Sequence, residues 1–131
     1  RARIDETLKD EAAAVLAEVD QVRLRDTNAA IDMLSRVLAT HTDDAAYGLA
    51  AFTLGRLALE AGRYVTAAAA FERVIAAAAP FDLVGDAYAR RAEALLRGKL
   101  PGAAVAMQRL IEKYPQHPRR AMLEALANVE R

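Results

Sequence analysis

Three stretches of this chain echo one another at a spacing close to that of a helical hairpin. "LSRVLATH" begins at Leu34, "FERVIAAAAP" at Phe71 and "MQRLIEKYP" at Met107. Each opens on a bulky apolar residue, followed by a variable residue, Arg and two branched apolar residues. Ala30, Ala67 and Ala103 stand four residues before these openings, and Val37, Val74 and Leu110 three residues after them. The alanines are 37 and 36 residues apart. A unit of that length accommodates two helices and their turns, and one such unit cannot bury its apolar face alone. Stacked units can, so the echo predicts a solenoid of helix hairpins.

Helical periodicity fills the chain between these echoes. Ile4, Leu8, Ala12, Val15, Val19 and Val22 step by three or four residues, which is one continuous helical stripe. "RDTN" follows, with Asn28 or Thr27 as the expected N-cap of a second helix ending near His41. Asp43 or Asp44 would cap a third helix, and Gly62 would close it in a left-handed conformation. A fourth helix is predicted over about 65–79, with Pro80 at its exit. A fifth follows "PFD" and ends at Gly98. Pro101 is expected in the first turn of a sixth helix and Pro118 at the start of a seventh, which reaches Val129. No alternating strand pattern competes, and the short connections make successive helices antiparallel neighbours.

Composition narrows the function classes. The 131 residues are enough for one domain with its own core, and the 54% apolar content suits a folded chain. Acidic and basic residues balance at 18 each, which argues against a general affinity for nucleic acid or anionic membrane. There are no cysteines, so disulfides, thiolate catalysis and zinc-thiolate sites are excluded. No apolar run is long enough to span a bilayer. The chain begins at Arg1 rather than Met and reads as a mature or excised fragment, so any signal peptide or anchor would lie upstream.

The repeats carry a resemblance to the tetratricopeptide repeat family, over roughly residues 10 to 118. The middle unit, "GLAAFTLGRLALEAGRYVTAAAAFERVIAAAAP", supplies Leu54-Gly55, Gly62, Ala67 and Phe71 at that family's small, turn and large-apolar positions. Gly98, Ala103, Met107 and Pro115 fall in register in the third unit. Ala14 and Ala51 stand where the family usually has Trp, and Arg91 where it usually has Leu. With Ala92 at the small position, the third unit's turn at Gly98 is one residue short. The resemblance implies an all-α, right-handed superhelical solenoid of antiparallel helix hairpins within a single domain, 1–131. It has about three repeats, approximately 10–44, 47–80 and 84–118, and a capping helix over 119–131. Gly55 is expected to face Ala67 across the crossing of two helices, with Phe71 wedged between hairpins. In the cap, Met122, Ala125, Leu126 and Val129 form the expected apolar side.

"AAFTLGRLALEAGRYVTAAAAFERV", "GDAYARRAEALLRG" and "YPQHP" are also similar to the C-terminal tetratricopeptide segment of some bacterial FecR-domain membrane proteins. "RLIEKYPQHP" is similar to repeats of envelope-assembly lipoproteins. Those similarities imply a cell-envelope or signalling role and favour a periplasmic or envelope location over the cytoplasm.

Reactive chemistry is sparse. Ser35, the single serine, lies inside a repeated helix with no base beside it. His41 and His117 end matching units and read as helix-end caps or solvated residues. His41 with Asp43 and Asp44 offers at most a weak metal set. Basic pairs at 90–91 and 119–120 lack interleaved aromatics, and the scattered glycines make no phosphate loop. No catalytic residue, metal site or cofactor is expected.

The first helices of a helical solenoid line a concave face where peptides dock. The register places Val22, Leu49, Phe52, Arg56, Leu59, Arg90, Glu93, Leu96 and Arg97 on that face, with Val15, Val19, Arg23, Glu60 and Ala89 beside them. Val22, Leu59 and Leu96 would form an apolar floor flanked by Arg56, Arg90 and Arg97. Arginine clasps carboxylates with paired hydrogen bonds, so the expected partner is a protein or peptide that is apolar and carries acidic residues. The predicted function is a protein-interaction scaffold within a larger bacterial envelope or signalling protein. The alternative is a self-associating structural module of an envelope-assembly protein, with a homodimer as its assembly.

Overall fold

The computed structural model describes residue 19 and residues 26–40, 47–77 and 81–129. Among the described residues six helices run their full length: α1 (Thr27–Thr40), α2 (Tyr47–Glu60), α3 (Tyr64–Ala76), α4 (Phe81–Arg97), α5 (Ala103–Lys113) and α6 (Arg120–Val129). No strand occurs among the described residues. Of the N-terminal stripe only Val19 is described, and it is fully buried. The proposed caps Asp43 and Asp44 lie outside the described residues.

Helix ends follow local chemistry, with three departures from the sequence expectation. The cap of α1 is Asp26 rather than Thr27 or Asn28, because its Oδ1 accepts the Ala29 N–H at 3.2 Å, the third amide of the helix. Pro101 precedes α5 instead of entering its first turn: Gly102, at φ 92°, is the residue that turns the chain into the helix. Pro118 likewise precedes α6, since the Arg119 carbonyl accepts the Leu123 N–H at 3.0 Å and so opens that helix.

The ends of α2 and α4 share one device. Gly62, at φ 76°, donates to the Leu59 carbonyl at 3.2 Å, and Arg63 donates to Ala58 at 2.8 Å. This pair of bonds is the Schellman motif. At the end of α4, Lys99 donates to Leu96 at 3.2 Å and Leu100 to Leu95 at 2.9 Å, with Lys99 in the left-handed conformation at φ 53°. The turn expected at Gly98 is therefore centred on Lys99. Lys99 lies 37 positions after Gly62, as Ala92 does after Gly55, so the missing residue falls in the turn leading to α5. Gly98 has a separate reason to lack a side chain: a Cβ there would sit 2.7 Å from the Cβ of Tyr64.

Each helix packs on its neighbours in sequence, while α2 also packs on α4 and α4 on α6. These contacts set α2, α4 and α6 side by side as one layer, backed by α1, α3 and α5. Of the nine echo residues, Ala30, Leu34, Ala67, Phe71, Val74, Met107 and Leu110 are buried, and Val37 and Ala103 are half-buried. The chain is thus an all-α helical solenoid. At Gly55 the nearest atoms belong to Phe71: an added Cβ would meet three of its ring atoms at 2.7–2.9 Å. The small residue makes room for the wedge itself. Phe71 in turn meets Phe52 edge-on, with ring centroids 5.7 Å apart and an interplanar angle of 72°.

Arg91, unusual for the family pattern, reaches across to α3, where its Nε donates to Glu72 Oε2 at 3.1 Å and its Nη2 forms an ion pair with the same oxygen at 3.1 Å. In α6 the fully buried residue is Leu123, joined by half-buried Met122, Leu126 and Ala127. Ala125, expected on that side, is exposed. The buried stripe is rotated so that Leu123 enters the core while α6 lies beside α4.

An arginine-lined pocket on the α2–α4–α6 layer

Arg56, Leu59 and Glu60 occupy the last turns of α2, while Arg90, Glu93 and Arg97 step by three and four residues along α4. That spacing puts each set on one face of its helix. Because α2 and α4 pack side by side, the two faces adjoin. Tyr64, which opens α3, and Arg119, which opens α6, complete a pocket of about 380 Å³.

Five of the nine residues assigned to the groove meet there: Arg56, Leu59, Arg90, Glu93 and Arg97. Phe52 is buried beneath it, with the Arg90 guanidinium 5.6 Å above its ring centroid. Leu49 is exposed elsewhere on α2, at 49%. Leu96 lies in a different, mostly apolar cleft of about 730 Å³ formed with α5 and α6, beside Met107, Ile111 and Ala127. Val22 lies outside the described residues. Val19 and Ala89, also expected on the concave face, are fully buried in the core.

Glu93 organises the pocket. It is the one buried charged residue among those described, at 7% exposure. Its Oε2 accepts from Arg97 Nε at 2.8 Å and its Oε1 from Arg119 Nη1 at 2.9 Å. A carboxylate removed from water requires such partners, and both of its oxygens have one. Arg56 and Arg90 differ: the Nε atom of each is buried and donates to no acceptor among the described residues. The Arg90 pKa is lowered, first by burial and then by the Arg119 charge, with Arg56 adding to the effect and Asp86 and Glu93 opposing it. Four guanidinium groups and two carboxylates line the pocket, leaving it with two positive charges in excess.

Arg119 and Tyr64 were missed in the sequence. "PRR" did flag Arg119 as half of a basic pair, but its direction depends on how α6 meets α4. His117 fixes that approach. Its Nδ1 accepts the Arg119 N–H at 3.1 Å, so its Nε2 carries the proton and donates to Asp86 Oδ1 at 3.0 Å. The histidine is thus a helix-end cap and also ties α6 to α4.

The remaining chemistry is structural. Ser35 Oγ donates to the Ile31 carbonyl one turn back at 2.9 Å. No group of side chains suited to a metal ion occurs among the described residues. His41, Asp43 and Asp44 lie outside them. No helix among the described residues is long and apolar enough to cross a membrane. The pocket offers guanidinium donors and an aromatic shelf, which is equipment for holding an anionic group.

A family model described as tetratricopeptide repeat matches the chain twice, over residues 19–82 and 52–118. No curated protein and no solved structure matches the chain.

Proposed function

Because the chain belongs to the tetratricopeptide repeat family, whose repeats generally mediate protein–protein interactions, we propose that it is a scaffold docking a peptide or protein segment on the α2–α4–α6 layer. The observation carrying this reading is the pair of buried guanidinium Nε atoms of Arg56 and Arg90, without an acceptor among the described residues, in a pocket of excess positive charge. Buried donors without acceptors are costly, and an acidic residue of a docked segment would supply the acceptors. Half-buried Leu59 and exposed Leu49 give such a segment apolar contact on the same helix. The sparse chemistry of the described residues favours docking over catalysis.

Fluorescence titration with apolar peptides bearing acidic residues tests the proposal. Arg56→Ala and Arg90→Ala should each weaken binding about tenfold, the scale of one charge-assisted contact. Unchanged affinity in both variants overturns it. Light scattering over a concentration range tests the competing self-association reading, which requires a dimer. A bacterial envelope or signalling setting is a further proposal, resting on the motifs "GDAYARRAEALLRG" and "YPQHP" alone and on no matched relative. Cell fractionation that finds the full-length protein only in the cytosol would refute it.

A further inference from the structure

We propose that the apolar cleft between α5 and α6 docks an amphipathic helix of a partner protein, one whose apolar stripe is bordered by basic residues. The cleft measures about 730 Å³. Buried Leu96 and Met107 lie at its floor with half-buried Ile111 and Ala127, and exposed Glu112 and Glu124 stand at its rim. None of these residues belongs to the arginine pocket, so failure of the groove reading would leave this site standing.

The repeat itself shows what the cleft fits. α4 packs closely along α3, whereas α6 lies beside α4 and touches α5 only sparingly. Ala68 and Glu72 of α3 correspond to Ala104 and Gln108 of α5, 36 positions on. Ala68 is buried, and Glu72 is held by Arg91 of the neighbouring helix α4. Ala104 is exposed, and Gln108 Nε2 donates within its own helix to Glu112 Oε1 at 3.1 Å. The face that a helix covers on α3 is thus open on α5. From Ala104 to Ile111 it runs about 10 Å, or two helical turns. A helix suits such a slot because its backbone bonds are closed within itself. An extended segment would turn unpaired amides and carbonyls toward apolar walls.

Charge selects the partner. Among the described residues no Lys or Arg lines the cleft, but two carboxylates do. Glu124 is held by Arg120 Nε at 2.6 Å, while the partner of Glu112 is the uncharged Gln108. Glu112 also lies in the last turn of α5, where the helix dipole adds to its negative potential. Lys113, the basic residue of that turn, sits over the Tyr88 ring at 5.8 Å and is not part of the cleft lining. A cation on the incoming helix would take on α5 the role that Arg91 plays on α3.

The probe is a synthetic peptide of about 18 residues, long enough to be helical alone, with a leucine stripe bordered by lysines. Its control carries glutamates at the lysine positions. Fluorescence anisotropy should show saturable binding of the lysine peptide, about tenfold tighter than the control. The Met107 and Ile111 methyl resonances should shift with it. Glu112→Lys, at an exposed side chain, should weaken the lysine peptide and strengthen the control. Ala104→Arg, also at an exposed position, puts a long side chain into the slot and should block both peptides. Arg56→Ala should change neither. No saturable binding, equal affinity for the two peptides, or binding that survives Ala104→Arg and is lost in Arg56→Ala overturns the inference. A concentration-dependent dimer abolished by Ala104→Arg would also overturn it, because the occupant would then be a second copy of the chain.

Discussion

Gly55 and Gly98 are small for tertiary reasons, each closing a gap too narrow for a methyl group. Alanine in a helix interior is favoured over glycine by about 1 kcal/mol. Gly55→Ala should nevertheless destabilise the protein, since the new Cβ would lie 2.7 Å from the fully buried Phe71 ring. Urea unfolding should show a net loss of about 1–3 kcal/mol, and a larger loss for Gly55→Leu. Lys99→Gly should act in the opposite direction. A side chain in the left-handed region costs about 1–2 kcal/mol, so part of that should return as a higher thermal midpoint. The left-handed role of Gly62 was legible because a glycine at a helix end has few other uses. That of Lys99 was not, because the adjacent Gly98 drew the assignment, and its need to be small arises from Tyr64, more than thirty residues away.

At the level of elements, α6 joins the scaffold to the pocket. It buries Leu123 completely and delivers Arg119 to Glu93. A chain ending at Pro115 should lose both, uncover the cleft around Leu96 and Met107, and self-associate in sedimentation experiments. Burial of Leu123 alone is worth about 1.5–3 kcal/mol, so the truncated chain should also melt earlier. A monomer of unaltered stability would contradict the capping role. The existence of α6 was readable from Pro118 and the spacing of its apolar residues. Its rotation was not: Leu123 is buried and Ala125 exposed because the His117–Asp86 and Arg119–Glu93 contacts set the docking angle, and these link residues 26 to 31 positions apart.

Across the whole molecule, contacts run between neighbouring hairpins, so stability is distributed along the stack. Packing is most extensive around α3, against α2 and α4. Native-state hydrogen exchange should therefore find the slowest amides in α3 and α4 and earlier opening in α1 and α6. Uniform protection from end to end would show a single cooperative unit instead. That Arg56, Leu59, Arg90, Glu93 and Arg97 share one pocket follows from α2 and α4 being regular and adjacent, which makes their neighbouring positions a matter of register. Leu96 escaped that reasoning: it sits on the side of α4 that meets α5 and α6. Phe52 bears on any attempt to retarget this molecule. Its ring seals the second hairpin against Phe71 and also cradles Arg90. Combinatorial libraries built on the groove should leave position 52 aromatic, since diversifying it would blur whether a lost binder had changed its preference or had simply come apart.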